Sequence, residues 1–342
     1  TPVPMEGPSL FVSRIKNYCG VLAALRSEFV PQQRLLVILG PTAVGKTALS
    51  LELAAELGGE IISADSMQVY RGMDIGTAKP SQAERAKIIH HMLDVVEPNE
   101  PYNVADYVNQ AEQVLLGLKD QGIVPILSGG TGLYIDALLK GFLFPDASAD
   151  EEIRARLEAQ AAIDPRSLYE RLQEIDPSSA KKLHPNDLRR IIRALEVYER
   201  TGEAISSLQR KVQESERPYR ALYIGLCRNR EELYARVDRR VDIMLQEGLI
   251  EEVDRLLKAY PDQPTALQAL GYKEIAYYLQ NQMTLPEAVE LLKRDTRRYA
   301  KRQMSWFKRN KDIHWFNSSE MPHEVIKEQI HSLWEVFSRE PS

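Results

Sequence analysis

The sequence predicts an α/β fold, a parallel β-sheet covered by helices and interrupted by an all-helical insertion. Three observations carry this. Apolar runs of strand length, such as Leu35-Leu36-Val37-Ile38-Leu39 and Val124-Pro125-Ile126-Leu127, alternate with stretches of helical periodicity. A glycine-rich turn joins the first run to a helix. Between about 145 and 215 the strand signals vanish, leaving charged helical stretches punctuated by Asp164-Pro165, Asp176-Pro177 and His184-Pro185.

The elements follow in order. Residues 35–39 read as a buried strand, because apolar side chains run without alternation, as they do where both sheet faces are covered. A helix over about 46–57 follows, then a short strand near 60–63 and a polar loop to about 80. A helix over about 104–119 leads into the strand at 124–127 and, through Ser128-Gly129-Gly130-Thr131-Gly132, into another helix. Past the insertion, Tyr219–Leu226 reads as a strand again, residues 230–310 as helices, and Ile313-His314-Trp315-Phe316 as a small strand before a last helix. The expected division is a 1–33 N-terminal extension, a core of 34–144 and 216–318, a 145–215 insertion domain and a 319–342 C-terminal helix. In the extension, Phe11, Ile15, Tyr18, Leu22, Leu25 and Phe29 fall at helical spacing with basic residues between them. That pattern fits an extra helix or frayed extension better than a presequence remnant or membrane-surface helix.

Composition sets the limits. With 342 residues and 44% hydrophobic, the chain can bury a sizeable core, which excludes disorder throughout. No run approaches the roughly 18 apolar residues of a membrane span. A net charge of −5 excludes a uniformly basic nucleic-acid binder but leaves room for a local basic patch. The two cysteines, Cys19 and Cys227, form no zinc or disulfide pattern, as expected of a protein from a reducing cytosol.

The segment Gly40-Pro41-Thr42-Ala43-Val44-Gly45-Lys46-Thr47 fits G-x-x-x-x-G-K-[ST], between a strand and a helix as that motif requires. Its backbone N–H groups can face one anion, Lys46 can bridge phosphate oxygens and the Thr47 hydroxyl can ligate Mg²⁺. The fold class is therefore P-loop NTPase-like. A kinase or ATPase usually adds a carboxylate at a strand end to hold Mg²⁺. Here the 126–127 strand runs into Ser128-Gly129-Gly130, with Asp94 as a possible substitute. The loop is thus free to serve a different diphosphate. Directly after the second strand, Asp65 stands where open α/β sheets bind ligands. It can hold Mg²⁺, act as a general base or simply cap a turn.

The chain resembles the bacterial-type tRNA dimethylallyltransferases, also called tRNA isopentenyltransferases, over about residues 34–316. The resemblance rests on GPTAVGKT at 40–47, ADSMQVYRGMDIGTAKP at 64–80, HHMLDVVEP at 90–98 and GGTGLYIDALLKG at 129–141. It continues in DLRRIIRALEVY at 187–198, RVDRRVD at 236–242, ALGYKE at 269–274 and YAKRQMSWFKR at 299–309. It implies transfer of a dimethylallyl group from dimethylallyl diphosphate to N6 of adenine 37, beside the tRNA anticodon, with Mg²⁺ as cofactor. The implied enzyme is cytoplasmic and monomeric, and needs no membrane. Asp65 is then the general base, Thr42 a diphosphate contact near the reacting centre, and Arg240 the residue that caps the diphosphate opposite the loop. For tRNA the resemblance implies Asp65, Ser66, Met67, Gln68, Thr131 and Arg154. It also implies the stretches Arg189-Arg190-Ile191-Ile192-Arg193 and Gln268, Gly271, Tyr272 and Lys273. Lys301, Arg302, Gln303, Trp306 and Lys308 complete the implied contacts.

Charge patterning points the same way. Arg189 and Arg193 stand four apart on one helix face, a spacing suited to phosphates, with a solvated face as the plainer reading. Lys293–Lys311 holds nine Lys/Arg against one acid, Asp295, a local polyanion site in an acidic protein. A relative that prenylates free AMP, ADP or ATP to make cytokinins would have less need of these groups. A P-loop kinase or ATPase would instead turn over ATP.

Overall fold

The computed structural model describes residues 32–141, 150–213, 219–261 and 265–340. The helical pattern from Phe11 to Phe29, Cys19 and the segment Phe144–Ala149 lie outside them. The expected α/β architecture is present. Six parallel strands, β1 (Gln33–Leu39), β2 (Gly59–Ala64), β3 (His90–His91), β4 (Val124–Gly129), β5 (Tyr219–Cys227) and β6 (Ile313–Asn317), form one sheet. Their order is β3-β2-β4-β1-β5-β6. Strands β1 and β2 both pair with β4, so their C-terminal ends reach one edge of the sheet, the side where such folds bind ligands.

The helices of the core are α1 (Lys46–Leu57), α2 (Gln82–Lys87), α3 (Val104–Gln121) and α4 (Gly132–Lys140). The inserted region contributes α5 (Glu151–Ile163), α6 (Pro165–Ile175), α7 (Pro177–Ala180), α8 (Leu188–Thr201) and α9 (Ile205–Gln213). After it come α10 (Arg230–Gln246), α11 (Leu249–Ala259), α12 (Tyr272–Leu279), α13 (Leu285–Phe307) and α14 (His323–Arg339).

Local chemistry sets several boundaries. The Asn103 side chain accepts from the N–H groups of Ala105 and Asp106 while Asp106 reaches back to Asn103 N, which starts α3. Gly122, in the left-handed conformation, ends it. Thr284 and Glu287 start α13 in the same reciprocal way.

The apolar residues sort by sheet face. Leu35, Val37 and Leu39 point to one side with Tyr107, Tyr134 and Tyr272; Leu36 and Ile38 point to the other with Leu49 and Leu53. Every residue from Leu35 to Leu39 is buried, which is why the strand reads as a continuous apolar run. The inserted helices have their own core of Leu157, Leu168, Leu172, Ile191 and Leu195.

Two elements depart from the sequence reading. Strand β3 and helix α2 are additional, and at two and six residues they are too short to show a period. The last helix also covers the sheet, since Ile326, Ile330 and Trp334 pack with Leu49 and Leu53 on the α1 face.

Candidate active site

The loop between β1 and α1 is shaped by its own residues and held from outside. Gly40 takes φ 148°, and a Cβ there would lie 2.5 Å from the Leu226 carbonyl oxygen, so no larger residue fits. Ala43, a non-glycine residue, sits at φ 63°, a conformation that costs about 1 kcal/mol or more and needs external support. Arg236 Nε donates to the Ala43 carbonyl at 2.9 Å, and Arg228 Nε donates to that of Val44 at 3.2 Å. Gln303 ties the loop to the end of β4: its Oε1 accepts from Thr42 N and its Nε2 donates to the Gly130 carbonyl, both at 2.9 Å. Lys46 Nζ donates to the carbonyls of Gly40 (3.0 Å) and Pro41 (2.9 Å). Burial and the charge of Arg240 lower the Lys46 pKa to about 8, against an opposing pull from Asp65.

Asp65 closes β2. Its Oδ1 accepts from the N–H groups of Met67 (2.9 Å) and Gln68 (3.3 Å), so the turn-capping role is real. It uses one oxygen, and the other has no hydrogen-bond partner among the described residues. Thr131 steadies this turn, its Oγ1 accepting from Ser66 N at 3.0 Å and its own N–H donating to the Ala64 carbonyl at 3.0 Å. The Gln68 amide accepts from Ser63 Oγ at 2.9 Å and donates to the carbonyls of Thr77 (3.2 Å) and Ala78 (3.3 Å). The 74–78 segment is anchored in turn by buried Glu252, which accepts from the N–H groups of Asp74, Ile75 and Gly76 and from the Tyr272 hydroxyl at 2.5 Å.

Thr42, Lys46, Thr47, Asp65, Gln68, Gln303 and Arg240 line one cavity, together with Ser63, Thr77, Ala78, Pro80, His90 and Tyr299. Arg240 is thus no surface arginine of α10. Burial pulls its pKa down while Asp65 and Glu247 pull it up, and a guanidinium stays charged. The cavity therefore sets two cations around a single carboxylate, an arrangement for stabilising a polyanion beside a proton acceptor.

Mg²⁺ takes several of its ligands from water and substrate phosphates rather than from a protein cage, and the Thr47 hydroxyl, which lines the cavity at the head of α1, suits an ion bound in that way. Asp94, the possible substitute, is engaged elsewhere. It pairs with Lys79 at 2.7 Å and Arg85 at 2.6 Å, and those hydrogen bonds outweigh burial and hold its carboxyl below the ordinary range. Among the described residues, Glu52, His323 and Glu324 are grouped closely enough for a metal, but Lys327 donates to Glu52 and Glu324 there.

The residues expected to touch RNA divide by burial. Arg189, Gln268, Lys273, Lys301, Arg302 and Lys308 are exposed. Arg190 is exposed too and pairs with Asp187 at 3.4 Å. Ile191 and Ile192 are a correction. Both are in the core of the insertion, where they build the helix face behind the arginines and their side chains are out of reach of RNA. Tyr272 and Gln303 are likewise buried and act as scaffold, through Glu252 and the phosphate loop. Trp306 donates from Nε1 to Asp136 at 2.8 Å, so it packs α13 onto α4. Arg154 and Arg193 are both bonded to buried Glu196.

The basic run is also less free than its sequence suggests, because α10 supplies acids that the run lacks. Lys293 pairs with Asp242 at 2.6 Å and Arg297 with Asp238 at 2.5 Å, while Arg294 and Arg298 share Asp295. Arg228, Arg236, Glu196, Glu252 and His90 were not singled out from the sequence. For Arg236 a signal existed, since it stands one helical turn before Arg240 and so shares its face.

Comparisons with known proteins agree with this architecture. The family model described as IPP transferase matches residues 68–310, and the isopentenyl transferase model matches 33–97. A tRNA dimethylallyltransferase of Halothermothrix orenii is 52% identical over 305 residues, covering 89% of this chain and 93% of the relative. A full-length tRNA isopentenylpyrophosphate transferase of Bacillus halodurans superposes with a TM-score of 0.68 at 42% identity, over 89% of this chain and 96% of that one. A eukaryotic dimethylallyltransferase, captured acting on tRNA, gives a TM-score of 0.78 at 30% identity, over 90% of this chain and 80% of its own.

Proposed function

Because the chain belongs to the tRNA dimethylallyltransferase family, we propose that it transfers a dimethylallyl group from dimethylallyl diphosphate to N6 of adenine 37 in tRNA. In this reading the enzyme is cytoplasmic and monomeric, and acts on the anticodon stem-loop. Among the described residues no helix is long and apolar enough to cross a membrane. The observation that carries the chemistry is the single cavity that brings Asp65 together with Thr42, Lys46, Thr47 and Arg240.

The exocyclic amine of adenine is a weak nucleophile, since its lone pair is delocalised into the ring. It becomes competent as its proton leaves. In the proposed step, N6 attacks the allylic C1, the C1–O bond breaks, and diphosphate departs with the bonding electrons. Asp65 accepts the N6 proton through the oxygen left free by the turn. Lys46, the loop N–H groups and Thr42 hold the diphosphate from one side and Arg240 from the other. Mg²⁺ would be held by the Thr47 hydroxyl and the diphosphate itself, and when bound would supply positive charge to the leaving oxygens.

The test is mass spectrometry of unmodified tRNA after incubation with dimethylallyl diphosphate. The expected result is one added dimethylallyl group at an anticodon-loop adenine with release of diphosphate. Modification of AMP in preference to tRNA would sink the proposal, and so would ATP turnover in place of prenyl transfer.

A base stacked in an anticodon loop cannot present N6 to Asp65, so adenine is proposed to be flipped into the cavity, at a cost of a few kcal/mol. Backbone contacts by the exposed arginines and lysines offset that cost. Arg189 is the cleanest probe, because neutralising Arg193 would also strip a bond from Glu196. Arg189→Ala is expected to weaken tRNA binding and flatten its log–log salt dependence by about 0.7 for one contact to single-stranded RNA. Titrations from low to moderate salt check this, and an unchanged slope returns Arg189 to a solvated surface.

A further inference from the structure

We propose that Glu196 is a positioning residue that presents Arg154 and Arg193 as a fixed pair to one phosphodiester of the bound tRNA. The inference rests on the tRNA reading above. Glu196 is wholly buried, yet four donors reach its carboxylate. Oε1 accepts from Asp150 N at 2.9 Å and Arg154 Nε at 3.0 Å, and Oε2 accepts from Arg154 Nη2 at 3.1 Å and Arg193 Nη1 at 2.8 Å. These bonds, which fill the lone-pair positions of the carboxylate, outweigh the effect of burial and keep the group ionised.

The two arginines come from different helices, α5 and α8, and both reach solvent, with side chains 39% and 24% exposed. One arginine would neutralise Glu196. The second leaves a surplus positive charge at the surface, and Arg189, exposed one turn earlier on α8, adds another. Arg154 Nη1 and Arg193 Nε and Nη2 have no acceptor among the described residues. A guanidinium on a free stem loses rotamer entropy when it is fixed on a ligand. Here the carboxylate has fixed both before the RNA arrives, and their remaining N–H groups suit the oxygens of a phosphodiester.

The test exploits a difference of sign. Glu196→Gln removes a negative charge from beside a polyanion, so charge alone would tighten tRNA binding. Loss of positioning is expected to weaken it by about tenfold, the effect of about one lost charge-assisted hydrogen bond. The measurement is the tRNA dissociation constant of the full chain, with thermal unfolding recorded in parallel. Affinity equal to or tighter than wild type overturns the inference.

Should Glu196→Gln unfold, Arg154→Lys decides, because it keeps the charge of a partly exposed side chain and loses only the planar fork. It is expected to bind tRNA several-fold more weakly with an unchanged unfolding midpoint, and wild-type affinity would overturn the inference. Failure of the wild-type chain to bind tRNA at all would instead overturn the reading on which the inference rests.

Discussion

Asp65→Asn is expected to lower the single-turnover rate of prenyl transfer by at least about two orders of magnitude, the usual scale for a general base, while tRNA affinity stays within a few-fold of wild type. The substitution is clean for a structural reason. The Asp65 oxygen that caps the turn accepts from Met67 N and Gln68 N, and an asparagine carbonyl oxygen can accept the same bonds. What is lost is the negative charge and the proton acceptor. A second consequence separates lost chemistry from a collapsed site. Asp65 raises the pKa of Lys46, so its neutralisation is expected to move the lysine titration to lower pH. Rapid-quench measurement at saturating substrates checks the rate, and near-normal turnover would remove Asp65 from the mechanism.

Lys46→Ala is expected to reduce kcat/KM for dimethylallyl diphosphate by about 10- to 150-fold, the equivalent of a charged hydrogen bond worth about 1.5–3 kcal/mol. The tRNA dissociation constant should be unaffected, since Lys46 reaches only the loop carbonyls and the cavity.

The wild-type pH profile gives an independent check. With a pKa lowered to about 8, Lys46 is a cation below that pH and neutral above it. Diphosphate affinity should therefore be flat below about pH 8 and fall as pH rises through it, approaching tenfold per unit if only the ammonium form binds. Bound diphosphate favours the ammonium, so the same group should titrate higher in the complex. In Lys46→Ala this alkaline fall in affinity should vanish. Its persistence would assign the titration to another group, and normal affinity in the variant would take the loop out of the diphosphate site.

Much of the molecule was legible in the chain alone. The continuous apolar run Leu35–Leu39, the glycine-framed loop and the loss of strand signals after 145 specify a parallel sheet with a phosphate loop and a helical insertion. Each of these is written within a few residues: a period, a turn glycine, a cap. Lys46, Thr47 and Asp65 were legible for the same reason: the first two open the helix after the glycine-framed loop, and Asp65 directly follows a strand.

Tertiary structure decided which charged residues are free to act. In sequence, Arg236 and Arg240 are two arginines of one helix of mixed charge, beside Asp238 and Asp242. In the fold, Arg236 supports Ala43 of the loop and Arg240 lines the cavity with Asp65. Lys293 and Arg297 read as part of a basic run, but acids more than fifty residues away on α10 neutralise them. Arg154 and Arg193 read as separate surface charges until Glu196 gathers them. Whether a side chain is paired, buried or available depends on what the fold brings within about 4 Å, where charges interact by several kcal/mol, and a local pattern carries no record of that distance.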